Sequence, residues 1–284
     1  MYTLAYLGPE GTFSQEAATL YERLLGVPCE QLPGQDFEQI FSWVSQGRVD
    51  YGIVPIENSL EGSVTTNLDL LTTEDIFIRG EVILDIDHCL LGLGEGAEIL
   101  EIISHPEALA QCRRNLKRLY PDARVISATS TSHAAREVAQ GGRAERVALG
   151  TRAAAKIYGL KVLRTNMADN PENQTRFLVL SRKDHPLTGL DKTSIVVSPQ
   201  ANRPGALHGI IEPFARLGIN LTKIESRPTK RFLGEYVFFI DFEGHREQPA
   251  VKQILQQLKE ETSFMKMLGS YPQYILKVRA KAAL

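Results

Sequence analysis

Leu4-Ala5-Tyr6-Leu7-Gly8-Pro9-Glu10-Gly11-Thr12-Phe13-Ser14-Gln15 sets the architecture of this chain near its amino terminus. Leu4 to Leu7 is a short apolar run of strand type, and Gly8 to Gly11 is turn chemistry. Thr12 stands three residues before Gln15, the spacing of a capping box that opens a helix. Ala17, Tyr21, Leu24 and Leu25 then share one helical face, and Gly26 supplies the stop. A strand, a turn and a capped helix in that order form the building unit of an α/β layer fold.

The unit recurs up to about Lys183. Tyr51 to Ile56 is a strand that runs into Glu57-Asn58-Ser59, and Ile102-Ile103 leads to Ser104-His105-Pro106-Glu107, with Ser104 as a cap and proline in the first turn. Val125-Ile126 leads to Ser130-Thr131-Ser132 and a helix closed by Gly141-Gly142. Val147 to Leu149 leads to Gly150-Thr151 and a helix stopped by Gly159. Hydroxyl-bearing turns thus sit where strands feed helices. Each Ser or Thr can be only a cap, or it can join free helix N–H groups in holding an anion. Several such turns at the carboxyl ends of strands predict a cleft for a small anionic molecule.

Composition removes other classes of function. The 284 residues are 43% hydrophobic and 23% charged, and 32 Lys+Arg against 34 Asp+Glu leave a formal charge of −2. Neither a broad nucleic-acid surface nor an anionic-membrane surface fits that balance. The longest run without a charged residue, Val125 to Ala135, is far shorter than the ~18 apolar residues of a membrane span. The start, Met1-Tyr2-Thr3-Leu4, lacks signal-peptide character, so a cytoplasmic protein is expected. Cys29, Cys89 and Cys112 are too widely spaced for a disulfide framework or a zinc knuckle, and no metal is implied. His88-Cys89 reads as a strand pair with Cys89 in the core. Gly92-Leu93-Gly94-Glu95-Gly96 has the wrong spacing, and an acidic residue, for a dinucleotide loop.

The polar stretch 184–192, with Pro186 and Gly189, reads as a linker. Beyond it lies one βαββαβ unit: strands over 193–198, 219–227, 235–242 and 265–271, and helices over 205–217 and 251–259, the first interrupted by Pro213.

Four motifs now converge on a family. Gly8-Pro9-Glu10-Gly11-Thr12-Phe13-Ser14, Val54-Pro55-Ile56-Glu57-Asn58-Ser59, Ser104-His105-Pro106 and Thr175-Arg176-Phe177 stand in the order found in prephenate dehydratases. Gly205-Ala206-Leu207 and Glu225-Ser226-Arg227-Pro228 resemble the phenylalanine-binding segments of their ACT domain. The resemblance spans essentially the whole chain. No chorismate mutase segment precedes Met1, so the monofunctional form is the expectation.

The resemblance implies a catalytic domain over 1–183 with two α/β lobes, like a type II solute-binding protein. One lobe would take about 1–78 and 165–183, and the other about 79–164. A linker over 184–192 and an ACT domain over 193–284 follow, in a homodimer or homotetramer. It further implies decarboxylating dehydration of prephenate to phenylpyruvate, with no cofactor and with L-phenylalanine as allosteric effector. Arogenate dehydratase, or a non-catalytic amino-acid sensor on the same scaffold, is the alternative.

Thr175 is then the catalytic residue, its hydroxyl placed to polarise the leaving group. Thr175 and Phe177 fall on one side of their strand and Arg176 on the other, which makes Phe177 an expected contact of the substrate ring beside the Thr175 hydroxyl. Arg176 either pairs a substrate carboxylate or forms a salt bridge, and the alternation favours the bridge. Glu57 is a candidate acid or a structural glutamate. Asn58 and Ser59 resemble substrate contacts, or else form a turn. Thr12, Ser14, Ser104 and Ser132 are placed around the substrate carboxylates, Ser104 with a competing role as a cap. For the effector the implied residues are Gly205, Ala206, Leu207, Asn220, Glu225, Ser226, Arg227 and Pro228. His208 departs from the β-branched residue usual after Gly-Ala-Leu.

Overall fold

A computed structural model describes residues 1–230 and 235–273; the last part of the expected ACT domain, 274–284, lies outside the described residues. In chain order the first elements are β1 (Tyr2–Leu7), α1 (Phe13–Leu25), β2 (Cys29–Gly34), α2 (Phe37–Ser45), β3 (Tyr51–Asn58), β4 (Gly62–Ser63), α3 (Thr65–Thr73) and β5 (Phe77–Asp85). There follow β6 (Cys89–Gly92), β7 (Glu101–Ser104), α4 (Pro106–Gln111), α5 (Arg113–Leu119), β8 (Arg124–Ser127), α6 (Thr131–Gly141), β9 (Arg146–Gly150), α7 (Arg152–Tyr158) and β10 (Lys161–Arg164). The last are β11 (Gln174–Ser181), β12 (Asp191–Pro199), α8 (Ala206–Arg216), β13 (Leu221–Pro228), β14 (Tyr236–Glu243), α9 (Pro249–Glu261) and β15 (Thr262–Pro272).

The strands form three sheets, ordered β2-β1-β3-β11-β5 with β4 on β3, β10-β6-β9-β7-β8, and β13-β14-β12-β15. The first two belong to two α/β lobes and the third, with α8 and α9, is the βαββαβ unit. Phe77–Asp85 pairs with β11 along its whole length, so the chain passes to the second lobe at 86–88 rather than near 79. It returns through 165–173, and Ile86 N–H to Asn173 O (2.8 Å) and Met167 N–H to His88 O (2.9 Å) tie the two crossings together.

Local chemistry accounts for the helix starts. Thr12 accepts from Gln15 N–H (3.4 Å), while the Gln15 amide oxygen accepts from Gly11 N–H (2.6 Å), closing a capping box one residue wider than the usual form. Ser130 and Thr151 cap α6 and α7 by accepting from His133 N–H and Ala154 N–H. Ser104 does not cap α4; His105 does, through Nδ1.

Sheet one is covered on one face by α1, which buries Ala17, Ala18 and Tyr21 against Tyr6, Val82 and Phe177. Its other face carries α2 and α3, and there Val196, Phe239, Leu268 and Tyr271 of the third sheet join Ile78, Leu178 and Leu180 in one continuous core. The docking is close enough that β15 lays Gly269 directly on the Ile78 backbone.

A charged group is also buried in this seam. Arg176 reaches Glu81 (2.7 Å) and Asp241 (2.7 Å), and Lys192 reaches Glu81 (2.8 Å). Burial works to raise the Asp241 carboxyl, but Arg176, the Ser194 hydroxyl and Lys192 outweigh it and hold the group below the ordinary carboxylate range. A carboxyl depressed on folding contributes stability above its unfolded pKa, ~3.9, and loses it as pH falls through the lower folded value. Urea midpoints should therefore fall below about pH 4, with a shallower acid slope in Asp241→Asn; equal slopes in both proteins would refute that origin.

Candidate active site

Between the two lobes lies a cleft of about 620 Å³. Its floor comes from the ends of β1, β3 and β11, and its far wall from the starts of α4 and α6. Four expected residues line it: Thr12, Ser14, Asn58 and Thr175. Asn58 and Thr175 are direct partners across the β3–β11 ladder. Asn58 Nδ2 donates to Thr175 Oγ1 at 2.8 Å, and Asn58 Oδ1 is itself held by the N–H groups of Leu60 (2.9 Å) and Glu61 (3.1 Å). Because Oγ1 is an acceptor in that bond, the Thr175 hydroxyl proton stays available to a ligand.

From Thr175 a chain of amides crosses to the second lobe. Asn58 Nδ2 also lies 2.9 Å from Asn173 Oδ1, Asn173 Nδ2 donates to Gln111 Oε1 (3.0 Å), and His88 Nε2 meets the same oxygen at 3.0 Å. An amide oxygen only accepts, so His88 carries its proton on Nε2. Burial lowers the His88 pKa, against the Gln111 bond and the Asp87 charge, and keeps the ring neutral near pH 7. Gln111, His88 and the exposed Arg136 line the cleft beside the four expected residues.

The other expected substrate contacts lie elsewhere. Ser104 is fully buried at the end of β7 and donates to Leu149 O (2.6 Å), binding β7 to β9. Ser132 is buried too; it donates to Glu10 O and, with Thr151 Oγ1 on Gly11 O (2.7 Å), clasps the turn after β1 to the second lobe. Ser59 is spent on the return crossing, where its Oγ accepts from Gln174 N–H (3.0 Å). Phe177 does share a face with Thr175, but it stands two residues further along the strand, ~6.6 Å from the cleft end, and packs under α1. Arg176 points through the opposite face into the charged seam, and Glu57 binds Lys223 (3.0 Å); neither reaches the cleft.

Cys89 is a core residue whose thiol burial, chiefly, pushes up to about 12, so it is no nucleophile. Among the described residues no group of three or more His, Cys, Asp or Glu side chains could hold a metal ion.

In the third unit, Gly205, Ala206, Leu207 and Pro228 border a cavity of about 1080 Å³. Asn220 lies at the far end of α8 beside another hollow and donates to Glu243 (3.3 Å). Arg227 faces the first lobe and meets Asp69 there (3.5 Å), Glu225 binds Ser63 of that lobe and Lys223 of its own strand (3.1 Å), and Ser226 is exposed.

A prephenate dehydratase model matches residues 4–185 and an ACT domain model residues 193–260. The chain belongs to the prephenate dehydratase family. It is 42% identical to a bifunctional chorismate mutase/prephenate dehydratase of Aquifex aeolicus, covering 96% of this chain and 74% of that one. It is 39% identical to the prephenate dehydratase of Methanocaldococcus jannaschii, over 96% and 97%. The structure of prephenate dehydratase from Arthrobacter aurescens in complex with L-Phe superposes with a TM-score of 0.85 at 34% identity, over 95% and 90%.

Similar chains also carry other activities. Arogenate dehydratase 2 of Petunia hybrida is 39% identical, over 95% of this chain and 71% of that one. GqqA, described as a novel type of quorum quenching acylase, has a TM-score of 0.84 at 32% identity, over 96% and 98%. Family membership fixes the fold and the two-unit organisation. The cleft must decide the chemistry.

Proposed function

We propose that the cleft takes prephenate, expels carbon dioxide and the ring hydroxyl, and releases phenylpyruvate. The observation that carries this reading is the Thr175 hydroxyl, held at the cleft floor by Asn58 with its proton free. Prephenate carries two carboxylates and one leaving hydroxyl. The bond from the ring to its carboxylate breaks, its electron pair completes the aromatic ring, and the ring hydroxyl leaves, taking one proton from solvent to depart as water. Thr175 lowers that barrier by donating a hydrogen bond to the departing oxygen, and a fixed donor needs no reorganisation as charge develops. The amino-terminal turn of α6 and Arg136 meet the carboxylate charge on the opposite wall.

In this reading residues 1–183 perform catalysis, 184–192 connect, and 193–284 regulate. The enzyme works in the cytoplasm as a homodimer or homotetramer, with phenylalanine bound where the third units of two copies meet. The cavity at Gly205, Ala206, Leu207 and Pro228 supports the effector site. Offering the purified protein prephenate and arogenate separately, with mass identification of products, tests the assignment. Phenylpyruvate from prephenate is expected. Phenylalanine from arogenate alone would make it an arogenate dehydratase, and no product from either would make it a sensor.

Gly205 sits at φ +84° as the cap of α8. Open space surrounds it, so a side chain there meets backbone strain rather than a clash. Gly205→Val should turn over prephenate but lose its response to phenylalanine. Steady-state rates with and without phenylalanine test this, and full inhibition of the variant would remove the segment from the effector site.

A further inference from the structure

Thr175 and Asn58 face the cleft as a cross-strand pair, and the next pair on the same two strands is Arg176 and Glu57. Alternation sends that second pair out through the opposite face of the sheet. There both are taken by the third unit. Arg176 Nη1 reaches Asp241 Oδ2 at 2.7 Å and its Nη2 reaches Tyr271 Oη at 3.0 Å, while Glu57 receives Lys223 Nζ at 3.0 Å.

The group around Arg176 is closed. Its Nε donates to Glu81 on the neighbouring strand β5 (2.7 Å), and Lys192 holds the same carboxylate. Ser194 donates to the second Asp241 oxygen (2.6 Å) and lies 2.7 Å from Tyr271 Oη. Asp241 and Lys223 are themselves partners across β13 and β14. A planar guanidinium bonded on three sides in a buried seam has one orientation, and moving the third sheet must drag it or break charged bonds away from water.

We propose that Asp241, Tyr271 and Lys223 are positioning residues for the Thr175–Asn58 pair, acting through Arg176 and Glu57. The third unit thereby sets the angle at which the catalytic hydroxyl is presented. This rests on the reading of Thr175 as the group acting on the leaving hydroxyl.

The test compares Asp241→Asn, Tyr271→Phe and, as a control, Lys252→Met, which breaks an exposed pair with Glu247. Each is made in wild-type and Thr175→Ala backgrounds. A small misplacement of a reacting group costs up to about 10²-fold. Asp241→Asn should lower kcat by about 10- to 100-fold with KM nearly unchanged, Tyr271→Phe by less, and the control not at all. In Thr175→Ala the same changes should have no further effect, because the group being positioned is gone. Equal losses in both backgrounds, or a lowered melting temperature with kcat intact, would overturn the proposal. Tyr271→Phe removes a single oxygen and keeps the test alive should Asp241→Asn not fold.

A second readout is independent of turnover. The methyl resonance of Thr175 in threonine-labelled protein, assigned by its loss in Thr175→Ala, should move in Asp241→Asn and Tyr271→Phe but not in Lys252→Met. An unmoved resonance overturns the positioning role whatever the substrate proves to be. Wild-type protein that leaves prephenate untouched overturns the functional reading alone.

Discussion

Thr175→Ala is expected to fold normally and to lose about 10²- to 10³-fold in kcat, the usual effect of deleting one preorganised donor to a developing negative oxygen. Thr175 is nearly buried at the cleft end of β11, and its methyl and hydroxyl are the only atoms removed, so the strand pairings on both sides survive. Asn58 Nδ2 keeps Asn173 Oδ1 as a partner after the substitution, which limits the structural damage. Thr175→Ser keeps the donor but loses the methyl that restrains its rotamer, and should retain part of the rate. Pre-steady-state measurement of phenylpyruvate formation gives the comparison. A folded Thr175→Ala protein with near wild-type kcat would remove Thr175 from the mechanism.

Gly269→Ala should act on stability more than the same change at any other glycine among the described residues. Gly269 has φ +149°, and a Cβ there would drive into the Ile78 carbonyl and stand 2.9 Å from the Ile78 nitrogen. Both are backbone atoms of β5 and cannot rotate aside. Strain and overpacking of this kind cost ~1–3 kcal/mol each. Relief requires the third sheet to lift from the first lobe, which exposes Val196, Phe239 and Leu268 and opens the charged seam at Arg176. Breaking a buried charge pair costs about 3–5 kcal/mol. Calorimetry should show a melting temperature lower by several degrees, and limited proteolysis should cut faster within 184–190. A variant that melts with the wild type would mean that the two units do not touch through Gly269 in solution.

The strand and helix starts were legible because their signals are local. Thr12, Ser130 and Thr151 each cap the helix that their spacing marks out. Where a strand pairs is not local. Phe77–Asp85 reads the same whichever lobe it joins, and its assignment is decided by β11, about ninety residues later. Ser104 and Ser132 show the same limit at the site. A serine after a strand can face a ligand or reach for a carbonyl, and only the packed neighbours, Leu149 and Glu10, decide. Arg176 was readable as a bridge from alternation alone, but its partners lie 95 residues before it and 65 after it. Asn173 and Gln111 gave no signal, and His88 read only as half of a strand pair with Cys89. Polar residues on a crossing, a helix face and a strand entry become one network only when the lobes come together.

The position of β11 between β3 and β5 bears on how the chain comes off the ribosome. β3 and β5 are made early, yet they have no bond to each other and wait for a strand that emerges only after the whole second lobe. At ~5–20 residues per second that delay lasts seconds, during which two apolar strand edges stand open. The second lobe, which begins and ends at one pair of crossings, can fold meanwhile as an insert. The last strand to complete the first sheet is the one bearing Thr175 and Arg176, so a nascent chain gains its cleft threonine and the anchor for its third unit in the same event.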